Sequence, residues 1–161
     1  MLLTNINNVM IKKGKRELAE KMADLTFSLL EHCQLKQEYI SKMLGLTVAE
    51  FKLMRSFRKD KNLTVNDLAR RMDLSSSRLT RILDGLVEKK IINRELSEKD
   101  RRTMNISLTQ KGKRIQNELN ETYIKTHEEI VELLPEGGGD SVIFAMEKLN
   151  NAMEKWVKKG K

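Results

Sequence analysis

The chain has 161 residues, of which 39% are apolar and 34% are charged, and its net charge at pH 7 is +8. This length supports one hydrophobic core, or a small domain plus helices that bury their apolar faces elsewhere, so one or two domains are expected. No apolar run approaches the roughly 20 residues of a membrane-spanning helix, and residues 1–10 lack the long apolar core of a signal peptide, so a cytoplasmic protein is expected.

Cysteine content and charge distribution narrow the class of protein further. Cys33 is the only cysteine, which excludes an internal disulfide framework and any zinc site built on several cysteines. Residues 46–114 hold 18 Lys and Arg against 9 Asp and Glu, a net charge of +9. Residues 1–45 hold 7 against 5 (+2), and residues 115–161 hold 6 against 9 (−3). A basic centre between near-neutral and acidic flanks predicts one polyanion-binding surface.

The N-terminal residues are predicted to form a loose arm followed by two helices. The first dozen residues have no clear period, whereas from Arg16 to about His32 apolar side chains recur at helical spacing and share one face. That stripe consists of Leu18, Met22, Leu25 and Leu29. A second, short helix is predicted from Gln37 to Leu44, because Gly45 suits the left-handed cap that ends a helix.

Three more helices are predicted in the basic centre. Thr47 followed by Glu50 matches a capping box, in which the hydroxyl and the carboxylate each satisfy a backbone donor at the start of a helix. Thr64 is the expected N-cap of the next short helix, and after a tight break at Asp73 the serines at 75–77 offer the N-cap of the third. The apolar face of this third helix consists of Leu79, Ile82, Leu83 and Leu86.

The sequence period then drops from helical spacing to two. Ile92, Arg94 and Leu96 alternate with polar residues, and so do Met104, Ile106 and Leu108 after a polar turn of seven residues. This alternation predicts a β-hairpin with one largely apolar face.

Two helices are predicted after the hairpin. Thr109 is the expected cap of a long helix that ends at Pro135, and Asp140 or Ser141 the expected cap of the last one. The last helix carries a heptad seam that is too short for an independent coiled coil, so it must pack against another helix of the same chain or of a partner. The seam consists of Val142, Met146, Leu149, Met153 and Trp156.

The order of elements in the basic centre is that of a winged helix-turn-helix. A helix enters the major groove with its N-terminal residues nearest the bases, where small side chains permit close approach and long ones read or anchor. A basic turn suits the narrow minor groove, and an Asp two positions before an Arg can orient the guanidinium. The predicted DNA-binding residues are Thr64, Ser75, Ser76, Ser77, Arg78, Thr80, Arg81, Arg94, Lys99, Asp100, Arg101 and Arg102.

Residues 46–114 resemble the MarR family of bacterial and archaeal regulators. The resemblance is carried by Leu46-Thr47-x-x-Glu50-Phe51, Leu68-Ala69, Ser75 to Arg81, Asp100-x-Arg102 and Leu108-Thr109-x-x-Gly112. It implies that the N-terminal and last two helices form a dimer interface, and that the helix from Ser75 to Lys89 lies in the major groove. It also implies that Arg102 enters the minor groove, oriented by Asp100.

Two positions depart from the family pattern. Lys90 stands where a Gly is usual after the recognition helix, which predicts either a left-handed non-glycine residue or a remodelled helix end. Glu98 stands where a Pro is common in the wing, which predicts a looser loop.

The predicted fold class is mainly α with a small β-hairpin wing. Residues 1–45 are assigned to an arm and a dimerisation helix, residues 46–109 to the winged helix-turn-helix domain, and residues 110–161 to C-terminal dimerisation helices. The predicted function is a homodimeric transcriptional repressor that binds a pseudo-palindromic site on double-stranded DNA. Release by a small molecule, an oxidant or a metal is left open, and the alternative is a winged helix used for protein contacts.

Enzyme chemistry and a resident metal find little support in the sequence. No phosphate loop, nucleophile elbow or paired-carboxylate motif is present, so neither catalysis nor a cofactor is expected. His32, Cys33 and His127 are weaker candidates for a metal site, because neither an i, i+4 His pair nor a Cys-x-x-Cys motif accompanies them. Cys33 alone is also a candidate thiol sensor, which would require a lowered thiol pKa and access to solvent.

Overall fold

A computed structural model describes residues 2–57, 62–96 and 104–160, of which residues 2–13 and 62 are described by backbone alone. These residues form six helices and one three-stranded antiparallel sheet, so the predicted fold class of mainly α with a small wing is confirmed. The elements are α1 Leu2–Met43, α2 Val48–Ser56, β1 Asn62–Thr64, α3 Val65–Met72, α4 Ser76–Glu88, β2 Ile92–Leu96, β3 Met104–Leu108, α5 Gln110–Glu132 and α6 Gly138–Lys159.

The chain divides into two compact units, residues 1–116 and residues 117–161. The first unit contains the main hydrophobic core, which is built from α1 to α4 and the sheet. Its buried apolar residues are Ile40, Leu46, Phe51, Leu53, Met54, Phe57, Leu63, Leu68, Leu79, Leu83, Leu86, Ile91, Ile92 and Ile106. The second unit contains the C-terminal part of α5 and all of α6. None of the helices in the described ranges is long and apolar enough to cross a membrane.

Helix α1 is one continuous helix of 42 residues, which corrects the prediction of a loose arm and two separate helices. The predicted break rested on the loss of the apolar stripe after His32. That segment contains neither Pro nor Gly, and residues such as Lys36, Gln37 and Glu38 sustain a helix without an apolar face. The loss of the apolar stripe after His32 therefore does not mark a helix end.

Helices α2 and α3 begin at the predicted caps. At α2 the amide of Glu50 donates to the Thr47 hydroxyl (3.2 Å), and the Thr47 amide donates to a Glu50 carboxylate oxygen (2.7 Å). Thr64 forms the same reciprocal box with Asp67 at α3. Hydrogen bonds from the Thr64 hydroxyl and amide hold the pKa of the Asp67 carboxyl below its usual range. The α3 cap therefore stays ionised at neutral pH.

The predicted hairpin is present with the predicted strands, β2 and β3. Ile92 pairs with Leu108, Arg94 with Ile106, and Leu96 with Met104. A third strand, β1, pairs with the other edge of β3, so the strand order is β1-β3-β2. Sequence reasoning missed β1 because a strand of three residues is too short to display an alternating pattern.

Helix α4 ends in a Schellman motif centred on Lys90. The Lys90 amide donates to the Val87 carbonyl (2.8 Å), and the Ile91 amide donates to the Leu86 carbonyl (2.8 Å). Lys90 has φ 58°, so the first of the two alternatives raised by the missing glycine is confirmed. In the left-handed region of backbone conformation, a residue with a Cβ has a steric cost that glycine does not have.

Replacing Lys90 by glycine is therefore expected to raise the free energy of unfolding by about 0.5–1 kcal/mol, net of the greater flexibility of glycine in the unfolded chain. Urea denaturation measures this change. Lys90→Ala is the matched control, because it removes the same charge and side chain but keeps the Cβ and its strain. An equal gain in both variants would locate the cost in the lysine side chain instead of the backbone.

The last two helices begin at different kinds of cap. At α5 the Gly112 amide donates to the Thr109 hydroxyl (3.0 Å), as predicted. The predicted cap of α6 at Asp140 or Ser141 is wrong, because the helix begins at Gly138 after the left-handed Gly137. The turn that joins the Gly138 amide to the Pro135 carbonyl (2.7 Å) starts the helix earlier and leaves Asp140 inside its first turn.

Candidate nucleic-acid interface

Helices α3 and α4 form a helix-turn-helix joined at Asp73. Asp73 has φ 51° and ends α3, and the Leu74 amide closes the turn on the Ala69 carbonyl (3.1 Å). Helix α4 then buries Leu79, Leu83 and Leu86 completely. Its exposed residues include all the predicted major-groove contacts, which are Ser75, Ser76, Ser77, Arg78, Thr80 and Arg81.

The N-terminal end of α4 presents small polar groups. Ser75 occupies the N-cap position without a side-chain cap bond, and its hydroxyl lies 3.3 Å from that of Ser77. Helix N-termini attract anions through their unpaired amides and the helix dipole. This end of α4 can therefore approach a phosphate or a base edge closely.

The arginines of α4 differ from those of α3 in their pairing. Arg70 forms an ion pair with Asp67 (2.7 Å), and Arg71 donates to the Ser56 carbonyl (2.9 Å). Arg78 and Arg81, by contrast, are exposed and form no ion pair with any residue in the described ranges. Among the residues that the structure describes, no carboxylate competes with an external acceptor for these two guanidinium groups.

The strands of the wing are described, but its tip is not. Lys99, Asp100, Arg101 and Arg102 all lie outside the described residues, so their roles stay predictions. Two other predicted contacts are engaged inside the protein. Arg94 donates from Nη1 to Oδ1 of Asp84 on α4, and the Thr64 hydroxyl donates to a carboxylate oxygen of Asp67 (2.7 Å).

A buried carboxylate holds the C-terminal end of α4 against α2. Glu50 is 5% exposed, and one of its oxygens accepts from Nζ of Lys89 (2.6 Å) as well as from the Thr47 amide. Lys89 also donates to the Gly45 carbonyl (3.0 Å). A Cβ at Gly85 would lie 2.9 Å from the other oxygen of Glu50, so the helices approach closely here. Sequence reasoning identified the cap at Glu50 but not its pairing with Lys89, 39 residues away.

The residues weighed for metal binding and thiol chemistry belong to α1 and α5 and not to α3 or α4. His32 is exposed and Cys33 half-buried on α1, whereas Nδ1 of His127 lies 2.6 Å from the Tyr123 carbonyl on α5. Within residues 2–57, 62–96 and 104–160, no group of three or more His, Cys, Asp or Glu side chains could hold a metal ion.

The predicted dimerisation residues leave much apolar surface exposed. On α1 the stripe Leu18, Met22, Leu25 and Leu29 is 49–68% exposed. On α6 the seam residues Val142, Met146, Met153 and Trp156 are 39–77% exposed, and Leu149 is half-buried. Apolar faces of this extent are uncommon on a monomeric protein and mark surfaces that bind another molecule.

Comparison of the sequence with known proteins gives one family match and a similarity to a curated relative. The family model described as the MarR family matches residues 46–104. The HTH-type transcriptional regulator SarZ of Staphylococcus epidermidis is 36% identical over 80 residues, which are 50% of this chain and 54% of SarZ. The chain thus spans about half the length of that curated relative.

Two solved structures extend the likeness beyond the matched segment. The YusO protein from Bacillus subtilis has a TM-score of 0.68 and 26% identity, covering 83% of this chain and 96% of YusO. A structure of reduced AbfR bound to DNA has a TM-score of 0.66 and 23% identity, covering 91% of this chain and 99% of AbfR. The similarity to AbfR concerns the fold alone.

Proposed function

We propose that this chain, which matches the MarR family model over residues 46–104, is a transcriptional regulator of that family that binds double-stranded DNA sequence-specifically. The observation that carries the proposal is the exposed face of α4. This face combines small serines at the helix N-terminus with two guanidinium groups, Arg78 and Arg81, that are unpaired within the described ranges. Arginine reads guanine edges bidentately and also anchors phosphates.

In this proposal the helix and the wing contact different grooves. The N-terminal half of α4 enters the major groove with Ser75 to Ser77, Arg78, Thr80 and Arg81. The wing tip, with Lys99, Asp100, Arg101 and Arg102, reaches the adjoining minor groove, where Arg102 is held by Asp100. The Thr64 hydroxyl already donates a hydrogen bond to Asp67. Thr64 therefore contributes by capping α3.

The regulator acts as a homodimer in this proposal. The exposed stripes of α1 and α6 support it, because each needs a second apolar surface of matching length. A two-fold dimer presents α4 twice, which implies a pseudo-palindromic operator with half-sites about one helical turn apart. Occupancy of such a site excludes other proteins from the same DNA, so repression is the proposed outcome.

The signal that releases the DNA is proposed to be a small molecule. A groove of about 640 Å³ runs along α5, large enough for an aromatic or aliphatic ligand. It is lined by Tyr123, Ile124, His127, Glu128, Val131 and Glu132. This groove favours a small-molecule signal over the oxidant and metal alternatives.

The test is selection of bound fragments from genomic DNA with the full chain, followed by titration of the selected operator at several salt concentrations. Affinity is expected to fall about 10³-fold or more between 50 and 200 mM salt, because each phosphate contact releases counterions. Binding that hardly changes with salt would overturn the proposal and favour the protein-contact module.

A further inference from the structure

An ion pair joins the root of the wing to the recognition helix. Nη1 of Arg94 on β2 donates to Oδ1 of Asp84 on α4 at 2.5 Å. The Arg94 side chain is 25% exposed and that of Asp84 is 57% exposed. The contact is therefore partly shielded from solvent on the arginine side, where the wing strand lies against the helix.

The position of Arg94 in the sheet makes this pairing necessary. Arg94 stands opposite the fully buried Ile106 and shares the inward row of β2 with the buried Ile92. Its Nε is buried and has no hydrogen-bond partner within the described ranges. A cation turned toward a core is costly unless it is paired, so Asp84 fixes where this guanidinium lies.

The position of Asp84 is unexpected for a surface that binds DNA. Asp84 follows Arg81 by three residues and Ser77 by seven, so it lies on the same face of α4 as the proposed base-reading residues. A carboxylate on that face repels phosphates. Its pairing with Arg94 offsets that repulsion, and among the described residues Arg81 has no ion-pair partner.

Resting on the proposed function, we propose that Arg94 is a positioning residue and not a DNA contact. Its bond to Asp84 anchors the root of the wing to α4, so that the wing and the helix reach adjoining grooves in a fixed relation. Functional geometry of this kind depends on a supporting layer of side chains that touch no ligand.

The test is a double-mutant cycle on operator binding with Asp84→Asn, Arg94→Gln and the double variant. Each single change is expected to weaken binding by about tenfold, and the double variant by no more than either single one, because both break the same bond. The slope of affinity against salt is expected to stay at the wild-type value. Arg16→Gln, which breaks the exposed Arg16–Glu20 pair (2.8 Å) on α1, is the matched control and should bind like wild type.

A footprint separates positioning from general loss of structure. Hydroxyl-radical cleavage should show that Asp84→Asn loses protection at the minor-groove positions reached by the wing, while the major-groove contacts of α4 persist. Uniform loss of protection across the operator would overturn the proposal.

Other outcomes would also overturn it. If Arg94 contacted a phosphate, Arg94→Gln would reduce the salt slope by about one contact, and Asp84→Asn would tighten binding by removing a negative charge. Additive effects in the double variant would contradict a shared role. Failure of the wild-type chain to bind any DNA would instead refute the proposed function, before the cycle begins.

Discussion

Replacing Gly112 by alanine is expected to lower the free energy of unfolding by about 2–4 kcal/mol, a loss typical of severe overpacking in a core. A Cβ at this position would lie 2.0 Å from the Ile91 carbonyl oxygen and 3.1 Å from its carbon. No real Cβ makes such a contact, so either α5 or the chain at Ile91 must move.

The Ile91 carbonyl cannot move without breaking other bonds. Its oxygen accepts from the Thr109 amide (3.1 Å) and from the Thr109 hydroxyl (3.1 Å). The Ile91 amide is held by the Leu86 carbonyl at the end of α4, and the side chain is 2% exposed. The substitution therefore strains the junction that joins α4, the wing strands and α5.

Urea denaturation of the full chain measures this loss, with Gly14→Ala as the control. Gly14 also lies in a helix, but a Cβ there would meet nothing within 4 Å. Alanine at position 14 is expected to raise the free energy of unfolding by about 0.5–1 kcal/mol, because alanine is the better helix former. A gain of the same size at position 112 would show that the close approach to Ile91 does not exist in solution.

A charge placed on the α6 seam is expected to dissociate the proposed dimer. Met146 is 53% exposed in the single chain, so Met146→Glu leaves the chain's own packing largely intact. In the proposed dimer the same residue lies in an apolar interface, where an unpaired carboxylate costs several kcal/mol. Sedimentation equilibrium should find monomers at concentrations where the wild-type chain is dimeric.

Loss of the dimer should also weaken operator binding by a factor of about 10²–10⁴, because the two reading helices no longer bind as one unit. Asn151→Glu is the matched control, since it adds the same charge to the opposite side of α6. Circular dichroism should show both variants helical. An unchanged dimer in Met146→Glu would exclude α6 from the interface.

The local features of the first unit were predictable because their causes lie within a few residues. The capping boxes at Thr47 and Thr64 involve partners three positions apart, and the hairpin strands show their alternation directly. For Lys90 the missing glycine left two alternatives, a left-handed residue or a remodelled helix end, and the structure has the first. Where a local signal was absent, the prediction failed, as at the short β1 and the uninterrupted α1.

The sequence was enough to predict which residues of the site are exposed, but not which side chains pair with each other. The apolar period of α4 was enough to place Arg78 and Arg81 on its exposed face. Nothing in the sequence indicated that Arg94 would form an ion pair with Asp84. An alternating strand pattern predicts which face of the sheet a side chain lies on, but not which residue it contacts. The same limit hid the pairing of Lys89 with Glu50.

The sequence by itself therefore determined which residues form the helices, caps and wing, and where the positive charge is concentrated. The tertiary structure decided which charged groups stay exposed for the proposed DNA contact and which are paired inside the protein. Helix propensity, capping and periodicity depend on residues that are near neighbours in the chain, so they can be recognised from the sequence alone. The Arg94–Asp84 pair and the approach of Gly112 to Ile91 depend on how α4, the sheet and α5 pack, and only the folded chain sets those distances.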